Sequence, residues 1–235
     1  VVSVDKTDEN VVFFACEKLK GYTLREALDR GDKFSTAQAA GITLQILCAL
    51  HSLHKRDMMH GYLHPDAIFL VPGKGEGINV KLRDFAILDL QDYLGDSRIV
   101  RNYLSPEQAL GEGNVDISTD IFATGSILYE LLSGQQAYQS KGEEDVSLKI
   151  IMGDPPPLGE VTDGLPGDLV KAQEALMDSD YDTRSTDFVE HIQKIMPFCE
   201  DMNEVMDRVS SRAIERILPK STKLQAKVAP KQPVR

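Results

Sequence analysis

A polar loop followed by two short apolar stretches constrains the fold of this chain more than any other segment. The stretches at residues 68–71 and 78–82 are typical of two β-strands, and the glycine-rich turn between them predicts a hairpin. The loop at residues 60–67 reads His-Gly-Tyr-Leu-His-Pro-Asp-Ala, and Asp84 follows the second strand. Because the two ends of a hairpin lie side by side, the loop and Asp84 are predicted to share one side of the molecule.

Helical patterns account for most of the remaining chain. Ser35 has the side chain of an N-cap, and apolar residues recur after it at mixed helical spacing to about His54, which predicts a largely buried helix. The prolines at residues 155–157 cannot continue a helix and mark a loop. Further helices are predicted at residues 118–133, 145–152, 168–177 and 186–195. The sequence therefore predicts a mainly α (α+β) chain with short β-hairpins.

The loop resembles the catalytic loop of the protein kinase family, which reads His-Arg-Asp-Leu-Lys-Pro-x-Asn. Asp84, Phe85 and Ala86 stand where the family has Asp-Phe-Gly. Five further segments follow in the family's order. Residues 11–17 resemble the strand before the hinge and residues 21–28 the helix after it. Residues 104–109 resemble the Ser-Pro-Glu-Gln end of the activation segment, residues 118–134 the central buried helix, and residues 180–184 the Asp-Pro-x-x-Arg motif. The resemblance implies the C-terminal lobe of a bacterial-type serine/threonine kinase.

The resemblance also predicts a division of the chain. Residues 1–197 are expected to form the kinase-like lobe, residues 198–219 an additional amphipathic helix, and residues 220–235 a basic disordered tail or linker. Nothing before Val11 offers a Gly-x-Gly-x-x-Gly loop, a lysine in a Val-Ala-x-Lys context or a helix with its glutamate partner. The N-terminal small lobe is therefore expected to be missing or vestigial, either cut away or degenerate.

Three replacements in the loop argue against catalysis. In the family the Asp takes the hydroxyl proton, the Lys steadies the phosphate and the Asn holds magnesium; here these positions hold Tyr62, His64 and Ala67. A methyl group cannot ligate a metal, and a phenol with a pKa of about 10 is a poor base near neutrality. The sequence therefore predicts no catalytic residue and no enzyme. It favours a pseudokinase acting as a protein-binding, scaffolding or regulatory signalling module.

Two alternatives stay open. Asp84 is the one retained candidate metal ligand, and it supports an atypical nucleotide-dependent phosphotransferase. A lone carboxylate holds Mg²⁺ weakly, because Mg²⁺ relies on substrate phosphates for much of its site, so no cofactor is expected beyond weak binding of ATP and magnesium. The second alternative is the cytoplasmic kinase-like portion of a membrane-tethered receptor, anchored by a segment beyond Arg235, because the tail resembles a basic juxtamembrane linker.

The resemblance assigns structural roles to five residues. His60 and Phe85 are implied to stack in a buried spine, and Asp120 to bind backbone amides of the loop. Glu107 and Arg184 match a buried ion pair that ties the activation segment to the lower helices. None of these residues performs chemistry in the family.

A stripe of apolar residues after the kinase-like region is the candidate partner-binding site. It has the spacing of one face of an amphipathic helix and consists of Met202, Met206, Val209, Ala213 and Ile217. The helix is expected either to pack on its own lobe or to bind a partner. A kinase, a substrate or a second copy of the chain are the expected protein partners.

Net charge and cysteine content narrow the kinds of partner and the cellular location that the sequence predicts. The chain carries a net charge of −11, although residues 220–235 contain five basic and no acidic side chains. An acidic body argues against a nucleic-acid binder, which would show a basic face. Cys16, Cys48 and Cys199 lack metal-ligand spacing and are predicted to be reduced thiols, which favours a cytoplasmic location.

Overall fold

A computed structural model of the chain describes its backbone in eight segments. These are residues 3–7, 12–15, 17–73, 77–84, 101–111, 115–139, 146–153 and 155–199. Several residues singled out in the sequence lie outside them: Cys16, Phe85, the stripe from Met202 to Ile217, and the basic tail.

Eight α-helices occur within these segments. They are α1 (Leu24–Asp29), α2 (Thr36–His54), α3 (Pro106–Leu110), α4 (Ile117–Ser133), α5 (Val146–Met152), α6 (Leu158–Val161), α7 (Gly167–Leu176) and α8 (Phe188–Ile195). Short 3-10 helices add Pro65–Ala67, Arg101–Tyr103 and Met196–Phe198. No helix of the described segments has both the length and the apolar character needed to cross a membrane.

Two small antiparallel sheets complete the described architecture. Strands β1 (Ser3–Lys6) and β2 (Val12–Ala15) form one pair. Strand β3 (Tyr22–Thr23) pairs with β4 (Ile68–Pro72), which pairs in turn with β5 (Ile78–Leu82). The β4–β5 pair is the hairpin predicted from the sequence. The expectation of a mainly α (α+β) chain with short β-hairpins is confirmed.

The hydrophobic core lies around α2 and α4, the two longest helices. Both are buried along most of their length, and α2 also packs against α8 and β5. A second apolar cluster contains Phe122 and Tyr129 of α4 together with Tyr138 and Ile150. Helix α4 supplies side chains to both clusters and therefore forms the centre of the lobe. Groups that are hydrogen-bonded to its first turn are held in place by this packing.

Local capping explains where the main helices begin and end. Ser35 caps α2 by accepting a hydrogen bond from the Gln38 amide, as the sequence predicted. Gly134 ends α4 with a φ of 72°, a backbone conformation that glycine adopts without steric cost. Helix α8 begins at Phe188, two residues later than predicted, because the Asp187 side chain accepts hydrogen bonds from the Val189 and Glu190 amides.

Candidate functional site

The loop at residues 60–67 is attached to the first turn of α4 by Asp120. One carboxylate oxygen of Asp120, Oδ2, accepts a hydrogen bond from the His60 amide at 2.9 Å, and Oδ1 accepts one from the Gly61 amide at 2.9 Å. The His54 Nε2 atom lies 2.9 Å from Oδ2. Buried polar groups need partners, and this fully buried carboxylate has three. Asp120 therefore sets the path of the loop.

His60 joins the start of the loop to the end of β5. Its Nε2 atom lies 2.9 Å from the Arg83 carbonyl oxygen, and its Nδ1 atom lies 3.4 Å from the Tyr62 amide nitrogen. A carbonyl accepts and an amide donates, so these partners assign the proton to Nε2. Burial lowers the pKa of His60, which favours this neutral form. The bond to Arg83 holds the residue before Asp84 against the loop.

Asp84 sits in a sparsely populated backbone conformation at the end of β5. Its φ is 62°, in the left-handed region that few residues other than glycine adopt. The Arg83 Nε atom donates to Asp84 Oδ2 at 2.8 Å, and 34% of the Asp84 side chain is exposed. Strained backbone of this kind is concentrated at functional sites. The bond from Arg83 thus orients the Asp84 carboxylate, which remains partly exposed to solvent.

The three replaced loop positions are buried. Tyr62 is 4% exposed, and its ring packs edge-on against His64 with the centroids 4.9 Å apart. Burial lowers the pKa of His64, whose Nδ1 atom is 3.5 Å from Asp66 Oδ2. Ala67 contributes a methyl group and no ligand. Asp66, with 43% of its side chain exposed, is the carboxylate of the loop that reaches solvent.

The described residues contain no ready-made metal cage. Among them, no group of three or more His, Cys, Asp or Glu side chains is arranged to hold an ion. Mg²⁺ in phosphotransfer sites is usually held by one or two carboxylates together with substrate phosphates. The Asp84 carboxylate, which is partly exposed and bonded by Arg83, fits this limited role.

Glu107 and Arg184 meet below the loop, where the sequence placed them. Arg184 donates from both terminal nitrogens to the two Glu107 oxygens, at 2.8 and 3.1 Å. Thr119 Oγ1 also donates to Glu107 Oε1 at 3.0 Å. Burial alone would raise the pKa of Glu107, but the Arg184 guanidinium holds that pKa below its ordinary value. The ion pair fastens α3 to the segment before α8, and Thr119 joins the pair to the first turn of α4.

Two contacts of the site were missed by the sequence analysis. Gln108 Nε2 donates to the Gly61 carbonyl oxygen at 2.7 Å; the Ser-x-x-Gln capping-box pattern at residues 105–108 could have drawn attention to this side chain. Arg25, Tyr103 and Glu130 form a buried network between α1, the segment before α3, and α4. Partners this far apart in sequence leave no local pattern.

Comparison with known proteins relates this geometry to a family. The family model of the protein kinase domain matches residues 2–214. Serine/threonine-protein kinase pkn3 of Myxococcus xanthus is 29% identical over 166 residues, which are 67% of this chain and 30% of that protein. Probable serine/threonine-protein kinase SCO3848 of Streptomyces coelicolor is 30% identical over 213 residues, 80% of this chain and 29% of that protein.

A third relative shows the same partial coverage. Probable serine/threonine-protein kinase PknB of Corynebacterium glutamicum is 30% identical over 161 residues, 66% of this chain and 24% of that protein. The chain thus spans between 24% and 30% of the length of these three relatives. The resemblance to bacterial-type serine/threonine kinases is confirmed.

The prediction that the chain is not an enzyme is wrong. It rested on Tyr62, His64 and Ala67, whereas the relatives matched across the domain are named as serine/threonine protein kinases. The physical reason is that positioning and charge neutralisation carry most of phosphoryl-transfer catalysis. Three loop side chains are therefore a weak basis for excluding an activity.

Proposed function

Because this chain belongs to the protein kinase domain family, we propose that it takes part in nucleotide-dependent phosphoryl transfer to hydroxyl groups of a protein. The substrate class follows from the names of the relatives, which are serine/threonine protein kinases. In this proposal the described lobe supplies the metal-binding carboxylate and the loop that faces the substrate hydroxyl.

The observation that carries the proposal is the setting of Asp84. Its left-handed backbone and the His60–Arg83 bond hold the carboxylate beside the loop at residues 60–67. The same loop is anchored by Asp120 through two backbone amides. A loop that served only as a connection would not need a buried carboxylate and a buried imidazole to fix its path.

The proposed reaction transfers the terminal phosphoryl group of the nucleotide. The hydroxyl oxygen of the substrate attacks the terminal phosphorus, and the bond from that phosphorus to the bridging oxygen breaks, so that the nucleoside diphosphate leaves with the electron pair of that bond. The hydroxyl proton passes to solvent water. Mg²⁺ bound with the nucleotide supplies charge neutralisation on the phosphates, and Asp84 is the residue that would hold it. Tyr62 does not fit the role of proton acceptor, because its side chain is buried and a phenol is a poor base near neutrality. We therefore expect transfer slower than is usual for the family.

The test measures nucleotide binding and transfer on the same protein. We expect millimolar ATP with Mg²⁺ to raise the melting temperature, because a ligand that binds only the folded state stabilises it. Transfer of labelled phosphate to a generic protein substrate should follow the same metal dependence. Asp84→Asn should abolish both effects, since an amide oxygen binds Mg²⁺ more weakly than a carboxylate.

Asp57 offers a matched control. It is an exposed aspartate with a φ of 55°, so Asp57→Asn makes the same chemical change in the same backbone region. This variant should retain nucleotide binding and transfer. If the parent protein transfers no phosphate in the presence of ATP and Mg²⁺, the proposed function is wrong, whether or not the nucleotide shifts the melting temperature.

A further inference from the structure

The carbonyl group of Gly61 receives a hydrogen bond from a helix outside the loop. Gln108 of α3 donates through Nε2 to the Gly61 oxygen at 2.7 Å, while the Gly61 amide donates to Asp120 at 2.9 Å. Both polar groups of this buried peptide unit are thereby fixed, one by α3 and the other by α4. Gly61 itself has a φ of 75°, so the two bonds hold the loop at a left-handed turn.

The orientation of the Gln108 amide is determined by its neighbours. Gln108 Oε1 accepts from the Ser105 backbone amide at 3.1 Å, and an amide N–H cannot accept. The carbonyl of Gly61 cannot donate, so it requires the Nε2 end of the side chain. The capping box of α3 therefore turns the donor of Gln108 towards the loop.

Helix α3 is itself held in place by contacts with Arg184 and with the start of α4. Glu107, next to Gln108, forms the two-pronged ion pair with Arg184. Ser105 Oγ lies 3.2 Å from Thr119 Oγ1, at the start of α4. A side chain that projects from so well anchored a helix can impose the position of the helix on the loop.

We propose that Gln108 is a positioning residue for the loop at residues 60–67, and that it transmits the placement of α3 to that loop through the Gly61 carbonyl. Movement of α3 away from the loop would remove the donor and leave a buried carbonyl without its partner. The Gly61 peptide unit would then be held only through its amide, by Asp120. The consequence for phosphoryl transfer rests on the proposed function; the mechanical coupling does not.

Residue-resolved hydrogen exchange tests the coupling without any nucleotide. The amides of His60 and Gly61 exchange only when their bonds to Asp120 open, so their rates report loop opening. We expect Gln108→Leu, which removes the donor, to accelerate both by about three- to tenfold, the factor that corresponds to one hydrogen bond. Gln108→Glu retains the acceptor for the Ser105 amide but places a second acceptor opposite the Gly61 carbonyl. It should therefore accelerate exchange of the His60 and Gly61 amides at least as much as Gln108→Leu does.

Gln136→Leu is the matched control. Gln136 is another glutamine close to the segment before α3, but its side chain bonds Asn102 and Tyr103 rather than the loop. This variant should leave the exchange of His60 and Gly61 unchanged. Amides in the middle of α2 should exchange at parental rates in all three variants.

The outcomes separate the two proposals. The positioning role is overturned if the His60 and Gly61 amides exchange at the parental rate in both Gln108 variants. It is also overturned if the amides of the loop and of α2 are accelerated equally, or if Gln136→Leu accelerates the loop amides as much as the Gln108 variants do. If the parent protein transfers phosphate, Gln108→Leu should lower kcat by about three- to tenfold with little change in the KM for ATP, because misplacement of the loop affects chemistry more than nucleotide binding. A parent without transfer activity would refute the proposed function while the exchange result still decides the role of Gln108.

Discussion

Arg184 and Glu107 lie 77 residues apart in the sequence and form a two-pronged ion pair. The Arg184 side chain is 0% exposed, and its Nε atom also donates to the Asp178 carbonyl at 2.6 Å. Thr119 and the Ser118 carbonyl complete the surroundings of the pair. All three nitrogens of Arg184 and both oxygens of Glu107 are therefore hydrogen-bonded, as a buried charge requires.

The first prediction concerns the stability of this pair. Glu107→Ala and Arg184→Ala should each lower the free energy of unfolding by about 3–5 kcal/mol, because each leaves the other charge buried and unpaired. The double variant should cost clearly less than the sum of the two single changes, since no lone charge remains. Urea denaturation of the four proteins gives the coupling energy.

The exposed pair Glu190–Lys194 provides the comparison. Lys194 Nζ lies 2.6 Å from Glu190 Oε1, but both side chains are nearly half exposed. The coupling energy of this pair should therefore be below about 1 kcal/mol. Coupling of similar size in the two pairs would contradict the buried role assigned to Glu107 and Arg184.

The second prediction is a pH dependence carried by Glu107. Its pKa in the folded protein lies below the ordinary value of 4.5. The unfolded chain therefore binds a proton first as the pH falls. The stability that ionised Glu107 contributes is fully present above about pH 4.5, and it is lost as the pH falls through the pKa of Glu107 in the folded protein. Between pH 6 and pH 3.5 the parent should lose more stability than Glu107→Gln, which has no proton to gain; parallel losses would contradict the prediction.

The elements around the site were largely predictable from the sequence because local patterns determine them. Two short apolar stretches and a glycine-rich turn predicted the β4–β5 hairpin, and the Ser35 cap with its apolar repeat predicted α2. The first turn of α8 was predicted two residues too early, because the side chain that caps the helix was not identified from the sequence. Only the folded backbone shows that Asp187 accepts the bonds of the first turn.

The bonds that tie the site together were less predictable. Asp120 and the Glu107–Arg184 positions could be identified through the family resemblance, whereas Gln108 and Arg25 lie at positions for which no local pattern specifies a distant partner. The functional interpretation failed at Tyr62 for a related reason. A motif shows which side chain is replaced, but it does not show how far the surrounding scaffold still performs the task.

The third prediction concerns buried histidines, exemplified by His191. Burial lowers its pKa, and its Nε2 atom lies 2.9 Å from the Ser185 carbonyl oxygen. A histidine whose pKa is lower in the folded state favours the unfolded chain once the pH falls below its ordinary value of 6.5. The loss of stability between pH 7.5 and pH 5.5 should therefore be smaller in His191→Gln than in the parent. Lys171→Gln, at a side chain that is 79% exposed, should keep the parental pH dependence; an unchanged dependence in the His191 variant would contradict the prediction.

The last prediction concerns the network that joins α1 to α4. Arg25 donates to Glu130 Oε1 at 2.8 Å, and the Tyr103 hydroxyl bonds both of these side chains. Tyr103→Phe removes the hydroxyl but leaves the ion pair, so it should lower the free energy of unfolding by about 1–2 kcal/mol. Arg25→Met leaves the buried Glu130 carboxylate without its cation and should cost about 3–5 kcal/mol. Glu130→Gln in the Arg25→Met background should recover part of that loss, because it removes the stranded charge; a further loss instead would show that the carboxylate is stabilised by groups other than Arg25.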